Sequence, residues 1–83
     1  MRAHEFNMTV NWFRPSGPSC AVGTFLAVRD ACNRPVGVRL IRVQVGGASM
    51  SRKDAIQFEQ PVNEWERAAE ILDEARMAAP VTA

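Results

Sequence analysis

The hydrophobic period changes once along this chain, near Pro61, and that switch limits the fold more than any motif does. Before it, apolar residues recur at every second position; after it, they recur at helical spacing. A chain of 83 residues has room for one core. The strands and the helix must therefore share it, in a single domain spanning residues 1–83. A domain this small buries only about 60% of its unfolded surface, and dimerisation is a common way to add to its stability.

Residues 5–13 alternate cleanly. Phe6, Met8, Val10 and Trp12 fall on one side of a strand, Glu5, Asn7, Thr9 and Asn11 on the other. Trp12 and Phe13 then point to opposite faces, so one of them is core. Two prolines and a glycine within residues 14–19 break the run. The next strand, residues 20–29, divides into Cys20, Val22, Thr24, Leu26 and Val28, which look like a core face. Ala21, Gly23, Phe25, Ala27 and Arg29 form a small-residue face carrying one ring and one guanidinium. Residues 30–35 read as a turn. Residues 36–45 are rich in β-branched side chains but cannot alternate strictly, because Leu40 and Ile41 are adjacent. A bulge there places Arg39 and Arg42 on one face. Residues 46–53 read as a loop, and 54–59 as a short fourth strand with Ile56 and Phe58 inward.

Pro61 suits a first helical turn, and Asn63 with Glu66 resembles a capping box. Val62, Trp65, Ala69, Leu72 and Ala79 form one stripe of the helix; Ala68, Ile71, Ala75 and Ala78 form a second beside it. Together they exceed the ~100° that one packing face needs. The sheet covers one stripe, and a second copy of the helix is the simplest cover for the other. The expected architecture is α+β: a four-stranded antiparallel sheet over residues 5–59, then one C-terminal helix over 61–79, ββββα. The expected homodimer packs through Trp65, Ala68, Ala69, Ile71, Leu72 and Ala75. Alanine's own helix preference is the competing explanation for the second stripe.

The residues for catalysis are sparse. His4 is the lone histidine, and Cys20 and Cys32 lie twelve positions apart with no metal-ligand spacing. They read as free, buried thiols. No nucleophile stands in a motif with a base, and neither GxGxxG nor a P-loop occurs; Gly46-Gly47 reads as a turn. The expectation is a protein that is not an enzyme, with no metal and no cofactor. No apolar run approaches the ~20 residues of a membrane span. The segment 1–6 lacks the apolar stretch of a secretory signal. The expected partners therefore exclude membrane, and the expected location is cytoplasmic.

The net charge of +1 conceals an asymmetry. Residues 1–60 carry eight basic and four acidic side chains, residues 61–83 two basic and five acidic. Nine of the ten basic residues are arginine, which grips phosphate in bidentate fashion and stacks on rings. A basic sheet face with interspersed aromatics suits single-stranded nucleic acid, with arginines on phosphates and rings under bases.

Phe25-Leu26-Ala27-Val28-Arg29-Asp30, the strand around Val38-Arg39-Leu40-Ile41-Arg42-Val43, the loop end Ser51-Arg52-Lys53, the segment Ala55-Ile56-Gln57-Phe58, and Pro61 with Trp65 follow one another in a familiar order. This order, over roughly residues 24–75, resembles the Positive Cofactor Four family of single-stranded-DNA-binding transcriptional coactivators. The resemblance implies a ββββα fold, a dimer formed through the helix, and a sheet that cradles single strands. It implies nucleic-acid contacts at Phe25, Arg29, Arg39, Arg42, Arg52 and Lys53. Asp54 stands where the family has glycine.

The expected function is sequence-tolerant binding of single-stranded DNA or RNA in transcription or nucleic-acid maintenance, with Phe25 and Phe13 stacking bases. The alternative is a small protein-binding regulator, or a phage-type inhibitor, that docks on a nucleic-acid-handling complex. Its contact would be the acidic helix face of Glu66, Glu70, Asp73 and Glu74.

Overall fold

A computed structural model describes residues 2–14 and 16–78. Met1, Pro15, Ala79 of the first helical stripe and the tail 80–83 lie outside the described residues. Four strands come first: β1 (Arg2–Arg14), β2 (Gly17–Arg29), β3 (Pro35–Val45) and β4 (Ala48–Ser51). Two helices follow, α1 (Arg52–Gln57) and α2 (Val62–Ala78). The strands form one antiparallel sheet in the order β1-β2-β3-β4. The fold is α+β, a four-stranded antiparallel sheet followed by a C-terminal helix.

The fourth strand is not where the alternation put it. It occupies Ala48–Ser51, and the segment 54–59 is mostly helical. Val45 pairs with Ala48 across Gly46 and Gly47, and Gly46 has φ +61°, the left-handed conformation that a tight hairpin requires. Ser51 then starts α1: its hydroxyl accepts a hydrogen bond from the Asp54 amide at 3.2 Å, and the Asp54 carboxylate sits in the first turn. Ala55 is the buried residue of this helix, while Ile56 and Phe58 are exposed. Six residues are too few for alternation to be told from a helical turn. The Ser51-x-x-Asp54 spacing is the signal that decides it.

Both helices lie on the same face of the sheet. The core joins Val10, Trp12, Ala21, Phe25, Leu40 and Val43 of the sheet to Ala55 of α1 and Val62, Trp65 and Ala69 of α2. The Trp12 and Trp65 rings are 5.5 Å apart between centroids, and the Trp65 indole N–H donates to the Asn11 carbonyl at 3.3 Å. Phe6 stacks on Phe25 at 5.8 Å.

On β1 the inward set is the expected one. On β2 it is reversed: Ala21, Gly23, Phe25 and Ala27 face the helices, and Cys20, Val22, Leu26 and Val28 face away. The reason is volume. Two tryptophans and Phe25 fill the layer, so the strand beneath them must be thin. A Cβ on Gly23 would lie 2.8 Å from the Phe25 ring and 3.1 Å from Val10. The larger aliphatic residues are displaced to the other side. Cys20 follows them and is exposed, as is Cys32 in the turn; both thiols are free but not buried.

The helical stripes part company. Trp65 and Ala69 are buried within the chain's own core and Leu72 is half-buried. Ala68, Ile71 and Ala75 are exposed. Asn63 lies inside α2, and the Glu66 carboxylate bonds to Leu40 and Arg52 instead of closing a capping box.

Candidate nucleic-acid interface

The sheet face turned away from the helices is laid out by the strand register. One row of cross-strand partners runs Asn7, Thr24, Arg42, Ser51 across all four strands; the next runs Thr9, Val22, Gln44, Ser49. On the other side of the first row lie Glu5, Leu26 and Arg39, then Ala3, Val28 and Gly37. The face has an aliphatic strip along β2 (Val22, Leu26, Val28), amides and hydroxyls on β1 and β4, and two arginines on β3. Thr24 is buried within it and donates to the Asn7 side-chain oxygen at 2.8 Å.

The two arginines share this face because of one extra residue. Thr24 pairs with Arg42 and Phe25 with Leu40, so Ile41 is passed over in the register. Without that bulge, Arg39 and Arg42, three positions apart, would point to opposite sides. Both are exposed. Lys53, two residues after Ser51, is exposed at the start of α1. Phe13, 88% exposed, stands at the far end of β1 opposite Pro18.

The other residues expected to contact nucleic acid are committed elsewhere. Phe25 has no accessible surface and offers no ring to a base. Arg29 reaches the helix side and meets Asp73 at 2.8 Å, with His4 Nε2 at 3.3 Å from the same carboxylate oxygen. Arg52 makes a two-pronged contact with Glu66, both distances 2.9 Å, and the Leu40 amide donates to the same carboxylate at 2.8 Å. Burial pushes the Glu66 carboxyl up, but the Arg52 and Leu40 hydrogen bonds outweigh it, and the group titrates below the usual carboxylate range. The Glu66 hydrogen bond raises Arg52 above its ordinary value. Glu66 and Asp73 thus serve the interior; of the acidic helix face, Glu70 and Glu74 are left exposed.

An open groove of about 360 Å³ follows the β3 edge beside Arg39, between Val36 and the Arg52–Glu66 pair. Among the described residues no group of three His, Cys, Asp or Glu is placed to hold a metal ion, and no helix is long and apolar enough to cross a membrane.

The polar set of the open face, Asn7, Thr9, Asn11, Gln44, Ser49 and Ser51, went unassigned in the sequence as a site. The alternation on β1 identifies its share, but the remainder depends on the register of β2, β3 and β4. No protein-family model matches the chain, and no curated protein or solved structure matches it either.

Proposed function

We propose that the chain binds single-stranded nucleic acid across the open face of its sheet, without sequence preference. The observation that carries this reading is the pair Arg39 and Arg42, exposed side by side on a face that the chain's own helices leave uncovered. Guanidinium groups at that spacing suit successive phosphates of an extended strand. The amides and hydroxyls of Asn7, Thr9, Asn11, Gln44 and Ser49 add neutral donors to phosphate and sugar oxygens. The stacking component is small, because Phe25 is core and Phe13 is the ring left at the margin. Binding is therefore dominated by phosphate contacts.

A labelled oligonucleotide of about 20 nucleotides, titrated at two salt concentrations with a duplex control, tests this. The two arginine contacts predict a log–log salt slope of about −1.4. Absence of single-strand binding at low salt would overturn the reading.

A further inference from the structure

The two edges of the sheet are treated differently. At the β3–β4 edge the chain guards itself: β4 is four residues long, α1 follows it directly, and the Leu40 amide is taken by the Glu66 carboxylate. At the other edge β1 runs thirteen residues, pairs with β2 along its whole length without a register shift, and has no strand on its far side among the described residues. Residues 6–13 of this edge contain no charge and no proline. Short length, inward charge, bulges and proline are the usual protections of an exposed edge, and residues 6–13 show none of them.

We infer that β1 is a dimer interface, and that its occupant is β1 of a second copy of this chain, paired antiparallel to make one continuous eight-stranded sheet. The argument for a second copy is the pattern of β1 itself. Even positions carry Phe6, Met8, Val10 and Trp12, odd positions Asn7, Thr9 and Asn11. A two-fold axis near Met8 sets Phe6 opposite Val10, Met8 opposite Met8, and Asn7 opposite Thr9. Every apolar residue of residues 6–10 thus meets an apolar one on the helix side, and every polar residue meets a polar one on the open side. Phe6 and Met8, which pack against the core but remain only half-buried, gain the cover they lack. The pairing is isologous and closed, so it stops at two chains. It keeps all four helices on one face and joins the two open faces edge to edge. The inference does not depend on what the open face binds, and it places the dimer contact on the strand edge, leaving Ile71 and Ala75 of the helix free.

The test is the mass of the protein in solution, by sedimentation or light scattering over a range of concentrations. It compares the wild type, Asn7→Lys/Thr9→Lys, and Ile71→Glu/Ala75→Glu. The wild type is expected to be dimeric. The edge variant should keep its circular dichroism spectrum and weaken dimerisation by about tenfold or more, through like charges brought together across the axis. The helix variant should remain dimeric. A monomeric wild type, or a dimer that survives the edge substitutions or is lost in the helix variant, would overturn the inference. Should the edge variant lose its fold, amide exchange in the wild type decides the question. Amides of residues 6–13 that become less protected on dilution support the edge pairing; protection independent of concentration contradicts it.

Discussion

The Arg29 guanidinium lies 2.8 Å from Oδ1 of Asp73, tying the last residue of β2 to the second half of α2. The two side chains retain 12% and 3% of their exposure. An arginine on a sheet was a candidate phosphate contact by composition; this one is a strut between the two layers.

Replacing Asp73 with alanine leaves Arg29 nearly buried without that carboxylate. The expected cost is about 3 kcal/mol, read as a lower urea midpoint with an unchanged slope. Because His4 stands beside the same carboxylate, His4→Ala should cost less than the aspartate substitution.

The second strut, Arg52 with Glu66, predicts a pH dependence. The folded Glu66 carboxyl titrates below its ordinary value, whereas the unfolded one titrates at about 4.3. Its contribution is therefore complete above about pH 4.3 and is lost as pH falls through the folded value. Glu66→Gln should cost about 1–2 kcal/mol at neutral pH, the range of charge-assisted hydrogen bonds discounted for the partial exposure of Arg52. The difference between variant and wild type should narrow as pH falls from about 4.3 through the folded value. A denaturation series from acid to neutral pH checks both statements.

The phenylalanines separate packing from binding. Phe25→Ala removes a ring with no accessible surface and should destabilise by about 3–5 kcal/mol. Phe13→Ala, at an exposed position, should leave stability within about 0.5 kcal/mol. If Phe13 stacks on a base, the same variant should lose about 1 kcal/mol of oligonucleotide affinity. Thermal melts and titrations of the two variants distinguish the roles.

Much of this architecture was legible because the elements are local. The β1 alternation, the Pro61 boundary, the period of α2 and the bulge at Leu40-Ile41 are each written within about a dozen residues. What was not legible depended on volume and register. Hydropathy favours Val22, Leu26 and Val28 for the core over Ala21, Gly23 and Ala27. The thin side was chosen because Trp12, Trp65 and Phe25 must fit above it. Arg29 and Arg52 read like Arg39 and Arg42 in sequence, since the partners that separate them, Asp73 and Glu66, are 44 and 14 positions away. The helix at Arg52–Gln57 was masked by a chance alternation, although Ser51 and Asp54 marked its start.

We propose that the open sheet face binds single strands through Arg39 and Arg42. The most direct measurement is oligonucleotide affinity for Arg39→Ala/Arg42→Ala beside the wild type, with folding checked by thermal melting. Two lost phosphate contacts predict an unchanged fold, a clear loss of affinity, and a salt slope shallower by about 1.4. Equal affinity and equal salt slope in a folded double variant would contradict the claim.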